Sequence, residues 1–128
     1  MALSKADALR AYARMMNTLD ASHIEPLLAF DFQYTSQWVF DTIASKKAFL
    51  DYIVPKLDTI AKSGNRAYAE MSEFNTFDRG PCVLMAQGDK EKLLATVLVQ
   101  VENGEIKRLD MCIAPSPWNC PRSGDYPT

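Results

Sequence analysis

Residues 30 to 40, FDFQYTSQWVF, place hydrogen-bonding side chains on a strand face that should be buried. The two-residue period of a strand gathers one set of side chains on that face, namely Phe30, Phe32, Tyr34, Ser36, Trp38 and Phe40. A buried donor or acceptor left unpaired costs about 1–3 kcal/mol. The polar groups of Tyr34, Ser36 and Trp38 must therefore meet backbone, buried water or a ligand. Two interpretations follow, a solidly packed aromatic layer or an apolar cavity with a few placed donors.

Asp110 is a carboxylate in a predicted closing strand, and the face that it occupies decides whether it can act as a base. Leu109, Met111 and Ile113 occupy alternate positions there and predict the buried face. The other face then carries Ile106, Arg108, Asp110 and Cys112. This favours an Arg108–Asp110 charge pair on the outer sheet surface over a catalytic acid. An inward Asp110 would have its pKa raised by burial and could serve as a base.

Metal and disulfide chemistry have little support in the sequence. There is one histidine, and the three cysteines lack the spacing of a metal site. We therefore expect no metal and no organic cofactor. Cys82 and Cys112 fall in strand patterns and are interpreted as small buried hydrophobic residues, whereas a Cys112–Cys120 bridge requires the C-terminal segment to fold back.

Composition limits the classes of partner. The 128 residues fit one domain, and the net charge of -2 offers no attraction for phosphate backbones, so we expect no nucleic acid partner. The chain has no apolar run near the roughly 20 residues that span a bilayer, and its N-terminus has no signal-peptide pattern. We expect a cytoplasmic protein without a membrane partner.

The first half of the chain is predicted to be mainly helical. Ser4 precedes a helical apolar stripe over residues 5 to 19, and Ser22 to Glu25 form a capping box that opens a short helix. A longer helix is predicted from Ser45 to Gly64, with a kink or break at Pro55.

The second half is predicted to form strands over residues 66–74, 82–88, 93–102 and 105–114. Asn103-Gly104 predicts a hairpin between the last two, because both residues accept positive φ. These elements indicate an α+β domain over residues 1–114 with helices packed on one sheet face. Residues 115–128 are rich in proline and predict a tail, either free or held by Trp118.

The order of elements resembles the nuclear transport factor 2-like superfamily, which includes ketosteroid isomerase, limonene epoxide hydrolase and the SnoaL-like polyketide cyclases. The resemblance rests on YARMMNTLDAS, FDFQYTSQW, SKKAFLDYI and VQVENGEIKRL, and spans about residues 5 to 114. It implies a cone-shaped fold of three N-terminal helices on a curved, mainly antiparallel sheet. It also implies a deep apolar pocket and a homodimer formed through the outer sheet face.

The resemblance assigns roles to a few residues. Tyr12 matches the tyrosine of the isomerase that binds the substrate oxyanion, and Tyr34 matches a pocket tyrosine of the hydrolase. Ser36 stands where the isomerase has its base and cannot replace it without a neighbouring general base. The other acids of these enzymes fall at about Ala86, Gly88 and Val97, where this sequence has no carboxylate.

Three functional hypotheses remain. The first is a domain that binds a small, largely apolar molecule bearing one or two oxygens. The second is a cofactor-independent isomerase, hydrolase or cyclase with Tyr12 or Asp110 as catalytic residues, and the third is a protein-interaction module with a filled interior. The predicted ligand-binding residues are Tyr12, Met16, Tyr34, Ser36, Trp38, Phe49, Ile53, Leu109 and Met111.

Overall fold

Two α-helices and six strands make up the domain, which a computed structural model describes at residues 3–38, 42–74 and 80–128. The elements in chain order are α1 (Lys5–Thr18), β1 (Leu28–Ser36), β2 (Thr42–Ile43), α2 (Lys46–Ser63), β3 (Ala67–Glu73), β4 (Pro81–Gln87), β5 (Leu93–Glu102) and β6 (Glu105–Cys112). Short 3₁₀ turns cover Ala21–His23, Glu25–Leu27 and Pro117–Asn119. Phe40, which was assigned to the buried face of the first strand, lies outside the described residues.

All six strands form one curved sheet in the order β2-β1-β6-β5-β4-β3. Strands β1 and β6 pair in parallel, and the other neighbours are antiparallel. The prediction of an α+β fold with a mainly antiparallel sheet is confirmed. The prediction of three helices ahead of the sheet is not, because β1 and β2 precede α2 and the second predicted helix is only a pair of 3₁₀ turns.

Local signals set the ends of several elements. The Ser4 hydroxyl accepts a hydrogen bond from the Asp7 amide at 3.0 Å and begins α1. Ser45 caps α2 in the same way, and Gly64 ends it at φ 71°. The β5–β6 hairpin turns at Asn103 and Gly104, with φ of 53° and 75°, as predicted.

The predicted cap of the short helix is wrong, and the break at Pro55, one of the two outcomes predicted there, does not occur. Asp20, not Ser22, caps the first 3₁₀ turn, since its carboxylate accepts a hydrogen bond from the Ser22 amide. Helix α2 runs unbroken through Pro55. Among the described residues, neither α-helix combines the length and apolar character needed to cross a bilayer.

Four face assignments are also wrong. Trp38 and Ile113, both assigned to the buried face, are 53 % and 44 % exposed. Phe30 is 89 % exposed, in a stretch where the register of β1 against β6 is irregular. Ile106, assigned to the outer face, is fully buried in the core. An irregularity in the β5–β6 register beside Val101 changes the alternation, so Ile106 and Leu109 both point inward despite their odd spacing.

The core lies between the inner sheet face and the helices. Helix α1 packs on β3, β4 and β5, whereas α2 packs on β1. Phe49 of α2 stacks edge-on against Phe32 with ring centroids 5.0 Å apart. This places the two helices over different parts of the sheet.

The C-terminal segment lies against the outer face and edge of the sheet. The prediction that Trp118 anchors this segment is wrong, because its side chain is 61 % exposed. Cys120 is buried instead, in a cluster with Cys82 and Leu84 on the outer face. All three cysteines are free, so the segment folds back without a bridge to Cys112.

A buried carboxylate holds this segment to β3. Glu70 is 1 % exposed and accepts hydrogen bonds from Arg122 Nε and the Gly124 amide, both at 2.7 Å. Arg122 also contacts Glu91, whose side chain is 72 % exposed. Sequence reasoning missed this pair, since the two residues are 52 positions apart.

Asn17 adds a second connection through its buried amide. Its Nδ2 donates to the carbonyls of Ala69 at 2.9 Å and Pro127 at 2.8 Å, while its Oδ1 accepts from the Ala69 amide. One side chain therefore links α1, β3 and the C-terminal segment.

Glu70→Gln should lower the free energy of unfolding by about 2 kcal/mol, because it removes a buried charge paired with Arg122 and replaces one of two acceptor oxygens with an amide donor. Urea denaturation measures the change. Glu91→Gln is the matched control, since it removes the exposed carboxylate of the same arginine and should cost less than about 0.5 kcal/mol. Equal losses in the two variants would contradict the structural role of Glu70.

Candidate ligand-binding cavity

A cavity of about 330 Å³ lies between α2 and the inner face of the sheet. Its size falls within the range of small-molecule sites. Most of the surrounding side chains are apolar, including Met16, Met85 and Met111. The other lining residues are Tyr34, Ser36, Trp38, Tyr52, Lys56, Ile60, Ala67, Ala86, Gln87, Leu94 and Ala95.

Strand β1 supplies the polar groups of one wall. Tyr34 and Ser36 are buried, and Trp38 is 53 % exposed just beyond the strand. The Tyr34 hydroxyl donates to Met111 Sδ at 3.8 Å, which is a weak acceptor. The Ser36 hydroxyl accepts from the Trp38 amide at 3.2 Å. The side chains of Ser36 and Tyr52 are also hydrogen-bond partners of Tyr34. A ligand oxygen or water could replace the sulfur, which is the weakest of these partners.

Helix α2 supplies the opposite side of the opening. Tyr52 is 37 % exposed, and its ring lies 5.9 Å from the ring of Tyr34, centroid to centroid. Lys56 Nζ donates to the Tyr52 hydroxyl at 2.9 Å. Together with Trp38, these residues form the mouth of the cavity, defined here as Trp38, Tyr52, Lys56 and Leu94.

Five of the predicted ligand-binding residues lie around this cavity, namely Met16, Tyr34, Ser36, Trp38 and Met111. The other four, Tyr12, Phe49, Ile53 and Leu109, are at most 4 % exposed and belong to the packed core behind it. Burial, with the neighbouring Tyr34 and Tyr52 phenols, raises the pKa of Tyr12 well above its ordinary value. Tyr12 is therefore a neutral phenol in the folded protein.

Asp110 lies on the outer face, opposite to the cavity. It pairs with Leu98 of β5, and its carboxylate is held by Arg108 Nε at 3.0 and 3.1 Å and by the Thr35 hydroxyl. Its neighbour Met111 points into the cavity, so the alternation of β6 turns Asp110 away. This carboxylate cannot reach a molecule in the cavity.

The described lining of the cavity contains neither a carboxylate nor an imidazole. Its titratable groups are Tyr34, Tyr52 and Lys56. Burial and then Tyr52 raise the pKa of Tyr34, so this phenol is neutral at physiological pH. Within residues 3–38, 42–74 and 80–128, no three His, Cys, Asp or Glu side chains are grouped closely enough to hold a metal ion.

Sequence reasoning chose Phe49 and Ile53 of α2, which lie in the core, and missed the α2 residues and the middle strands that line the cavity. Tyr52, Lys56 and Ile60 recur every four residues and therefore share a face next to the buried stripe of α2. That spacing could have indicated, from the sequence alone, that these three side chains lie on the same side of the helix. The alanines of β3, β4 and β5 carried no such signal, because a small residue in a strand predicts no particular neighbour.

Comparison with known proteins identifies the fold. No protein-family model matches the chain, and no curated protein has a similar sequence. Among solved structures, a SnoaL-like protein of unknown function from Burkholderia thailandensis matches with a TM-score of 0.63 and 14 % identity, over 87 % of this chain and 97 % of that one.

Two further structures carry names that refer to enzymes. A putative polyketide cyclase from Sinorhizobium meliloti has a TM-score of 0.58 and 17 % identity, covering 82 % of this chain and 93 % of its own. A putative ketosteroid isomerase from Kribbella flavida has a TM-score of 0.56 and 15 % identity, covering 99 % and 87 % respectively. The chain has the nuclear transport factor 2-like fold, as the sequence resemblance predicted.

Because the phenol of Tyr34 is buried, the stability of the protein should depend on pH in the alkaline range. Its pKa is higher in the folded than in the unfolded chain, so the unfolded chain loses this proton first as the pH rises above 10. The free energy of unfolding should therefore decrease above pH 10. In Tyr34→Phe the decrease between pH 9 and pH 11 should be smaller by about 1 kcal/mol, measured by urea denaturation. An identical pH dependence in both proteins would contradict the burial of this phenol.

Proposed function

We propose that the chain binds a small, largely apolar molecule bearing one or two oxygens in the cavity between α2 and the sheet. The observation that carries this proposal is the composition of the lining. Apolar side chains form most of the wall, and the Tyr34 hydroxyl, which donates to the Met111 thioether, lies beside the polar groups of Ser36 and Tyr52. A mostly apolar hollow with a few placed donors is the usual form of a small-molecule site.

The same lining supports binding over acid–base catalysis. Proton transfer needs a group within hydrogen-bond reach whose pKa lies near the working pH. Tyr12 and Tyr34 have raised pKa values and act as donors rather than bases, and Asp110 lies on the outer face. The alternative of a cofactor-independent isomerase, hydrolase or cyclase draws its support from the names of similar structures, whose likeness is one of fold.

An interaction module without a ligand is the third candidate. It requires a filled interior and one large exposed apolar patch. The cavity argues against a filled interior, and three of the exposed large apolar side chains, Trp38, Tyr52 and Leu94, line its mouth. The ligand-binding proposal therefore accounts for more of the structure.

Filling the cavity should abolish binding without unfolding the protein. Ala67 lines the cavity from β3, and Ala67→Leu would place three extra carbon atoms in that space. A thermal-shift screen of neutral aromatic ketones, epoxides, steroids and polyketide-like aromatics should give responders, among which 2-acetonaphthone is a suitable first probe. We expect Ala67→Leu to weaken binding at least tenfold by calorimetry while changing the free energy of unfolding by less than about 1.5 kcal/mol.

Ala61→Leu is the matched control, because Ala61 is exposed on α2 and does not line this cavity. It should leave the affinity unchanged. A screen without responders, or equal affinity in Ala67→Leu and the natural protein, would overturn the proposed function.

A homodimer through the outer sheet face is a separate part of the proposal. The C-terminal segment covers this face near β3, so the contact would use the side formed by β5 and β6, beside the exposed Trp118. Sedimentation equilibrium should give twice the mass of the chain for the natural protein and a weaker dimer for Trp118→Asp. A monomer at all concentrations would refute the dimer.

A further inference from the structure

The charge of Lys56 sets it apart from two other lysines of α2. Lys47 and Lys62 each form an ion pair with a carboxylate one turn away, Asp51 and Asp58, both at 2.9 Å. These pairs neutralise their charge locally. Lys56 donates instead to the Tyr52 hydroxyl, also one turn away, and a phenol does not cancel the charge of an ammonium group.

The hydrogen bond between Lys56 and Tyr52 leaves other donors of both groups available at the mouth of the cavity. An ammonium group has three donors, and Tyr52 uses one of them in the described structure. The Tyr52 hydroxyl accepts from Lys56, so its own proton can be donated elsewhere. Both groups line the cavity where it opens to solvent. Two adjacent donors, one of them cationic, suit an acceptor that carries negative charge.

The side chains around Lys56 strengthen the preference for a negatively charged acceptor. The described lining holds no carboxylate that could compete for Lys56, and its wall is mainly apolar. A charge beside apolar walls acts in a lower effective dielectric than one surrounded by water. The single ammonium group favours a monoanion over a multiply charged group.

We infer that the ligand of this cavity is a monocarboxylate, whose apolar body occupies the interior and whose carboxylate meets Lys56 and Tyr52 at the mouth. This inference rests on the proposed function and adds the chemical class of the ligand. An aromatic or branched acid with a body about the size of two fused rings suits a cavity of about 330 Å³.

Two probes of nearly equal shape test the inference. 2-Naphthoate and 2-acetonaphthone differ by an anionic oxygen in place of a methyl group. Calorimetry at pH 7.5 should give a Kd for the carboxylate about tenfold lower than for the ketone, which is the scale of one well-placed charged hydrogen bond. The advantage should shrink when sodium chloride is raised from 50 to 500 mM, because salt screens a partly exposed pair.

Substitutions test whether Lys56 causes the tighter binding of the carboxylate. In Lys56→Met the ratio of the ketone Kd to the carboxylate Kd should fall from about tenfold to about twofold or less, whatever the change in the ketone Kd itself. Lys62→Met is the matched control, since it removes a charge from the same helix that is paired with Asp58. It should preserve the tenfold advantage. Tyr52→Phe should retain part of it, because the ammonium group remains.

The outcomes separate the two proposals. If the ketone binds and Ala67→Leu weakens it, but the carboxylate gains nothing or keeps its gain in Lys56→Met, the inference is overturned and the proposed function stands. If neither probe binds, the inference is overturned, and the proposed function is judged by the wider screen. A tenfold advantage that Lys56→Met removes and Lys62→Met preserves supports both.

Discussion

The cavity exists because two helices cover different parts of one curved sheet. Helix α1 packs on β3, β4 and β5, and α2 packs on β1. Where the sheet faces the space between them, it presents Ala67 and Ala95. These side chains are too short to fill that space, whereas protein interiors are otherwise packed with few voids larger than a water molecule. The composition of the middle strands thus determines the position of the hollow.

The wall that carries these alanines also needs support from outside. Strand β3 is at the edge of the sheet, and an open edge exposes unpaired backbone groups. The C-terminal segment occupies that edge, where the Met71 amide donates to the Asp125 carbonyl at 2.8 Å. Glu70 and Asn17 hold the segment in place from β3 and α1. The proline-rich end of the chain is therefore part of the framework around the cavity.

Sequence-based predictions were correct where the deciding interactions join residues close in sequence. Ser4, Ser45 and the Asn103-Gly104 turn act within a few residues, so their patterns predicted the helix starts and the hairpin. The errors arose where distant contacts decide. The side that Ile106 faces depends on a register irregularity between two strands.

In the candidate site too, local patterns predicted some residues and long-range packing determined the others. Tyr34 and Ser36 could be placed on the cavity side from the period of a strand, because the strand is regular there. Lys56 and Tyr52 share a helical face, but only the packing of α2 against the sheet turns that face toward the opening. Trp118 looked like the anchor of the C-terminal segment on size alone, whereas the structure uses the ion pair of Arg122 with Glu70.

The protonation states of the buried phenols bear on the proposed choice between ligand binding and catalysis. Burial keeps Tyr12 and Tyr34 neutral by raising the pKa of each phenol, so both can donate a hydrogen bond and neither can take up a proton from a substrate. A donor without a base can hold an oxygen but cannot complete a proton transfer. With Asp110 on the outer face, the described lining of the cavity offers hydrogen-bond donors and contains no carboxylate or imidazole. This combination is the physical basis on which we propose ligand binding rather than acid–base catalysis for this cavity.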